Sequence, residues 1–179
     1  IEAENGEASH PGPPDARFYC KNVDGLRTHK TRLEIFYRIK AEHSRRPIKA
    51  IFLQEHHLRP QDVAAAQRDA QVCYPTLLVA PIPSGTKGGT AILIPDDMIE
   101  TKKGEATDAA IRRVGATMRK SPCGRVITIK TLINGTSYPL TSAYAPVDGC
   151  GVRRAHFFKH VLSRYMSDDT ILGLDANCV

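Results

Sequence analysis

Three short clusters of acids and amides punctuate this sequence: Asn22-Val23-Asp24-Gly25, Gln54-Glu55, and Asp175-Ala176-Asn177. Each follows an apolar run, namely Phe18-Tyr19-Cys20, Ala50-Ile51-Phe52-Leu53 and Thr170-Ile171-Leu172. Short apolar runs bounded by turn residues read as buried strands. In α/β proteins, ligands and catalytic groups gather at the C-terminal ends of strands. Carboxylate and amide oxygens brought together there make a hard site suited to Mg²⁺, with Mn²⁺ as the alternative.

The elements that must position these clusters follow from periodicity. Residues 17–22 and 48–54 read as strands. Between them, Lys30 to about Glu42 reads as an amphipathic helix with Leu33, Phe36 and Ile39 on one face, stopped by Pro47. Pro60 opens a short helix through Ala66, since proline is tolerated at the first helical position. Thr76–Ala80 and Thr90–Ile94 are further strands, separated by a glycine-rich connector, Ser84 to Gly89. The grammar then changes. Ala110–Arg119, Arg125–Leu132 and Thr136–Tyr144 read as strands without intervening helices, and Asn134-Gly135 is a two-residue hairpin turn. Pro139 marks an edge or a bulge. Val152–Met166 is a helix with Phe158, Val161, Leu162 and Tyr165 on one face, and Thr170–Leu174 is the last strand. βα units at both ends and an antiparallel meander between them predict an α/β (α+β type) fold. Two mixed β-sheets pack face to face with helices outside, a four-layer sandwich. Residues 1–16, with small residues and three prolines, read as a disordered lead-in to a single domain over 17–179.

Composition narrows the class. The chain has 179 residues, 41% hydrophobic and 25% charged, which suits one soluble globular domain. No apolar run is long enough to span a membrane, so no membrane partner is expected. Five cysteines without a C-x-x-C predict neither a disulfide framework nor a structural zinc site, and an intracellular setting follows. The net charge of +6 favours a polyanionic partner. The chain starts at Ile1 and stops two residues beyond Asn177. The expectation is that a site-bearing loop ending there continues in a longer parent protein.

The order of the motifs resembles the endonuclease/exonuclease/phosphatase superfamily. Asn22-Val23-Asp24-Gly25-Leu26-Arg27 is similar to the opening motif of abasic-site repair endonucleases, and Leu53-Gln54-Glu55 to the family's Gln-Glu motif. Gly89-Thr90-Ala91-Ile92-Leu93-Ile94 resembles its glycine-led strand, Tyr144-Ala145-Pro146 its Tyr-x-Pro motif, and Gly173-Leu174-Asp175-Ala176-Asn177 its Gly-Asp-x-Asn motif. The run through Arg154, Phe157-Phe158 and Ile171-Leu172-Gly173 is similar to endonuclease domains of non-LTR retrotransposons. Three departures stand out. Leu174 occupies the position before the aspartate where the family has glycine, and is expected to crowd a close backbone approach. Val147 replaces an asparagine of the repair enzymes. The family's C-terminal Ser-Asp-His motif has no counterpart in the chain, which implies an incomplete domain that is nearly inactive alone.

The resemblance implies a metal-dependent phosphodiesterase acting on DNA, with a nuclear location. Glu55 would bind the metal, with Asp24 a second ligand or one acting through water. Asn22 would orient Glu55 or touch phosphate. Asp175 would position and deprotonate the attacking water, Asn177 would hold a phosphate oxygen, and Tyr144 would donate to the phosphate or leaving group. Lys87, Arg153 and Arg154 would touch the DNA backbone. The same core also serves a phosphoesterase acting on RNA, an inositol lipid or a nucleotide, or a degenerate non-catalytic fragment.

Blander readings accompany each residue. Asp24 and Asn22 suit a turn before Gly25, Tyr144 suits a core position, and Arg153 and Arg154 suit a solvated helix face. The His56-His57 pair reads as structural: neighbours on a strand point to opposite faces and cannot chelate together, and H-E-x-x-H is absent. Ser84 to Thr90 lacks the spacing of a phosphate-binding loop.

Overall fold

A computed structural model of the chain describes residues 16–71, 74, 76–83, 87–147 and 151–177. The expected lead-in lies almost wholly outside these residues, as do positions 84–86 of the glycine-rich connector. Two four-stranded sheets form. The first contains β1 (Phe18–Asn22), β2 (Ala50–Gln54), β3 (Thr76–Ala80) and β4 (Thr90–Ile94), in the order β1-β2-β4-β3. The second contains β5 (Arg119–Lys120), β6 (Val126–Ile133), β7 (Thr136–Tyr144) and β8 (Ile171–Asp175), in sequence order. The sheets face each other across Ala50, Phe52, Ile92 and Ile94 on one side and Ile127, Ile129 and Leu140 on the other. Helices α1 (His29–Arg45) and α2 (Val63–Gln71) cover the outside of the first sheet, over Ile51, Leu53, Ala91 and Leu93. This is the expected sandwich of two mixed sheets with helices outside.

Each sheet holds one parallel pair joined through a helical crossover. β1 runs through α1 into β2, with Asn22 opposite Gln54 at their ends. β7 runs through a helical segment into β8, with Tyr144 opposite Asp175. Parallel pairing places the C-terminal ends of both partners at the same edge. Face-to-face packing then brings the two edges together.

The packing between sheets is tight where it matters. A Cβ built on Gly173 would lie 2.2 Å from Phe52 Cγ, so only glycine admits this approach. The close approach expected at position 174 is thus made one residue earlier. Leu174 packs against the cluster of Phe157, Leu162 and Ala143, and also borders the hollow between Asn22 and Asp175. Polar links add to the seam. Buried Gln54 Nε2 donates to Ser142 Oγ at 3.2 Å and to the Gly173 carbonyl at 3.4 Å, and Ser142 Oγ donates to the Leu53 carbonyl at 3.2 Å.

Three details differ from the sequence reading. Residues 107–116 form a helix, α3 (Thr107–Ala116), not the strand expected from Ala110. Ala110 and Val114 stand one helical turn apart and are buried together, with Ile111 and Met118 packed beside them. On α1, Ile35 and Arg32 are buried rather than Leu33. Arg32 Nε meets Asp69 Oδ2 at 2.5 Å, and its Nη1 donates to the carbonyls of Leu26 and Arg27. Lastly, the helix expected over Val152–Met166 is α4 (Val152–His156), a π-helical turn over Phe157–Val161, and a 3₁₀ turn over Leu162–Tyr165. Pro139 pairs with β6 at a point where β8 has not yet begun, so the edge expectation holds.

Gly173→Ala should destabilise the chain by about 2–3 kcal/mol through overpacking against Phe52. Urea unfolding with an unchanged midpoint would show that the two sheets do not approach as closely as described.

Candidate active site

The paired strand ends deliver their side chains to one rim. Asn22 Nδ2 donates to Glu55 Oε2 at 2.7 Å and to Asp175 Oδ2 at 2.9 Å. One amide from β1 therefore bridges carboxylates from both sheets. Its Oδ1 accepts from the Asp24 backbone N–H at 3.0 Å, which folds the following turn back over it. Tyr144 Oη donates to Glu55 Oε1 at 3.1 Å. Asp175 Oδ1 accepts from the Asn177 N–H at 3.1 Å. All six residues expected to carry chemistry, Asn22, Asp24, Glu55, Tyr144, Asp175 and Asn177, lie along this rim.

Glu55 follows β2 and would, as a continuing strand residue, point toward the outer helices. Its φ of 61° turns it back to the rim. The turn is held at several points. Glu55 N–H donates to the Gly89 carbonyl, His57 N–H to the Gly88 carbonyl, and Gly25 N–H to the Glu55 carbonyl. His56 is the anchor beneath. It is fully buried, its Nε2 lies 3.2 Å from the Ala80 carbonyl and 3.1 Å from the Thr90 carbonyl, and its Nδ1 accepts from the Leu58 N–H. Nδ1 as acceptor makes Nε2 the protonated nitrogen of a neutral ring. Burial pushes the His56 pKa down to about 4, against the opposing pull of the two carbonyls.

The electrostatics suit a carboxylate that stays ionised and a phenol that keeps its proton. Burial alone would raise the Glu55 pKa, but hydrogen bonds from Asn22 and Tyr144 and the nearby His57 outweigh it and hold it below the usual carboxylate value. Burial first, and then the charge of Glu55, raises that of Tyr144. The Arg125 guanidinium stands 5.1 Å from the centre of the Tyr144 ring and donates to the carbonyls of Tyr144 and Ala145. Ligand atoms from Asp24, Glu55 and His57 lie within 4.8 Å of one another. Two carboxylates and an imidazole fit a divalent cation.

The expected substrate contacts are less uniform. Lys87 is exposed at the rim, next to Gly88, which packs toward the Tyr144 ring. Arg154 Nη1 donates to the Asn177 carbonyl at 2.7 Å and so braces the loop that follows Asp175. Arg153 is exposed on α4 and lines a largely apolar hollow with Pro146, Val152 and Phe157. Asn177 Nδ2 donates to the Ala145 carbonyl at 2.6 Å, so part of its amide is already engaged within the chain.

No family model matches the sequence, and neither does any curated protein. Solved structures do match. An AP endonuclease, LMAP, from Leishmania major superposes with a TM-score of 0.56 at 15% identity, over 84% of this chain and 46% of that one. The endonuclease domain of TRAS1, a telomere-specific non-LTR retrotransposon, gives 0.54 at 13%, over 93% of this chain and 62% of that one. TDP2 from D. rerio, in complex with a single-strand DNA product, gives 0.52 at 16%, over 91% and 60%. The fold is that of the endonuclease/exonuclease/phosphatase superfamily. The chain spans roughly half to two-thirds of the length of these structures.

Within that fold, two residues of the rim escaped the sequence reading. The sequence pattern reads His57 as structural together with His56, on the premise of a continuing strand. The strand ends at Gln54, and a φ of 58° at His57 sends the two rings apart, His56 into the core and His57 toward Glu55. The Gly88-Gly89 pair, which accommodates this turn, was the available signal. Arg125 had no local signal, because its contact with Tyr144 comes from the pairing of β6 with β7.

The neutral state of His56 carries a pH dependence. The folded pKa of about 4 lies below the ordinary value of 6.5, so unfolded chains bind more protons between these values. Its contribution is fully present above pH 6.5 and is lost as pH falls toward 4, on the order of 3 kcal/mol. Denaturant midpoints should therefore fall over this window, and fall less in His56→Gln. Equal pH dependence in both proteins would contradict the assignment.

Proposed function

We propose that this chain is a metal-dependent phosphodiesterase domain that nicks duplex DNA, of the type found in non-LTR retrotransposon-like elements. The observation that carries this reading is the bridging of Glu55 and Asp175, from two different sheets, by the single amide of Asn22. The superfamily fold and the DNA-related neighbours support the substrate class.

Glu55 and Asp24 would hold the cation, Mg²⁺ or Mn²⁺, which when bound supplies charge to a phosphate oxygen and to the leaving oxygen. The remaining roles belong to the chain's own groups. Asp175, oriented by Asn22 and by the Asn177 N–H, accepts the proton of the attacking water at its carboxylate. That water forms the new P–O bond as the bond to the leaving sugar oxygen breaks. Asn22 and the Tyr144 hydroxyl, whose raised pKa keeps it a donor, are placed to transfer hydrogen bonds from carboxylate to phosphate as substrate enters. Asn177 holds a phosphate oxygen with the part of its amide not engaged by Ala145. Lys87, Arg153 and Arg154 meet the DNA backbone, with Arg154 also bracing the Asn177 loop.

At protein excess with Mg²⁺ or Mn²⁺, supercoiled plasmid should convert to nicked circles only slowly, as a chain without a Ser-Asp-His counterpart would, and Glu55→Gln or Asp175→Asn should slow that conversion further, by about 10²-fold or more. Conversion that survives EDTA, or that is unchanged in both variants, would refute the reading. Lys87→Ala should weaken binding to a labelled duplex regardless of its sequence and lower the salt slope by about 1. An unchanged slope would remove Lys87 from the DNA interface.

A further inference from the structure

The rim contains a nitrogen donor that the scheme above leaves without a task. His57 Nε2 lies 3.6 Å from Glu55 Oε1, too long for a hydrogen bond. The atom is shielded from solvent and has no hydrogen-bond partner within the chain among the described residues. Buried polar atoms are seldom left so, because desolvation is then uncompensated. The ring is also confined. Its Nδ1 side packs on Gly25, where a Cβ would come within 3.2 Å, while the His57 carbonyl accepts from Arg27 Nε and its N–H binds the Gly88 carbonyl.

A second observation is independent of that atom. Asp24, Glu55 and His57 all have positive φ, at 44°, 61° and 58°. Among the described residues only two other non-glycine positions do, Asn134 in the hairpin and Asn177 at this same rim. Left-handed backbone is disfavoured at such residues and persists where the surrounding structure enforces it. Here that strain aims three side chains at one point, with ligand atoms within 4.8 Å of one another. Adjacent donors on an octahedral ion stand about 3 Å apart and opposite ones about 4.2 Å, so the three side chains close around the ion on binding.

We infer that His57 is a direct ligand of the divalent cation, beside Asp24 and Glu55, and that it shifts the site's preference from Mg²⁺ toward Mn²⁺ and Co²⁺. This rests on the metal-dependent reading above. Mg²⁺ favours oxygen donors, whereas imidazole binds later first-row ions more strongly. The competing role, a cationic partner for Glu55, makes the opposite prediction: such a charge repels the metal, and removing it would tighten binding.

The test compares the full chain with His57→Asn, which tolerates a left-handed φ and offers an amide oxygen in place of nitrogen. Calorimetric titration with Co²⁺ and with Mg²⁺ should show Co²⁺ affinity falling about tenfold or more while Mg²⁺ changes little. Pulsed electron paramagnetic resonance of the Mn²⁺-loaded chain should show coupling to an imidazole nitrogen that His57→Asn abolishes. A rise in affinity, an equal fall for both ions, or Mn²⁺ bound without nitrogen coupling would overturn the assignment. If Mn²⁺ binding is still lost in Glu55→Gln, the phosphodiesterase reading stands without His57. Binding indifferent to Glu55→Gln overturns both.

Discussion

Two parallel strand pairs, one in each sheet, end in matched register, and the rest of the site depends on this constraint. Asn22 and Gln54 terminate together on one sheet, and Tyr144 and Asp175 on the other. Parallel pairing requires a crossover helix, so α1 and the α4 segment exist to bring each chain end back to the same edge. The seam between sheets then sets how near the two edges come. Gly173 against Phe52 and the Gln54–Ser142 bond fix that distance within the core, one or two residues from the chemistry. Side chains 153 residues apart in sequence, those of Asn22 and Asp175, thereby share a hydrogen bond.

Convergence of acids has an electrostatic cost. Glu55 and Asp175 both accept from one amide, which draws two carboxylates toward a single point. Hydrogen bonds from Asn22, Tyr144 and the Asn177 backbone offset part of the repulsion. A bound cation would offset more. The backbone bears a related load. Four of the five left-handed non-glycine residues among the described residues, Asp24, Glu55, His57 and Asn177, sit at this rim. Buried, neutral His56 and the Gly88-Gly89 pair hold the most distorted stretch, in the manner expected where strain serves positioning.

Much of this was legible in the letters. Thr76–Ala80, Thr90–Ile94 and Thr136–Tyr144 match the expected strands residue for residue, because apolar runs bounded by proline, glycine or Asn-Gly leave little freedom. The three polar clusters lie where their strand-end positions implied. What could not be read depends on tertiary context. The α3 segment carries Thr107, Ile111 and Val114, whose β-branched side chains mask a helical spacing that only its packing against the core between the sheets reveals. Leu174 looked obstructive because its side was unknown; the pleat sends it outward and leaves Gly173 to face Phe52. His57 was hidden by the assumption of a regular strand, and a positive φ at a histidine has no signature in sequence.

The central claim is that oxygens at the ends of β1 and β2, with a nitrogen beside them, hold one cation that faces Asp175 on the second sheet. Anomalous diffraction from crystals grown with Mn²⁺ tests it directly. A single strong peak is expected within bonding distance of Glu55 and Asp24, on the side facing Asn22 and Asp175. A peak elsewhere on the surface, or no ordered Mn²⁺ at millimolar concentration, would contradict it.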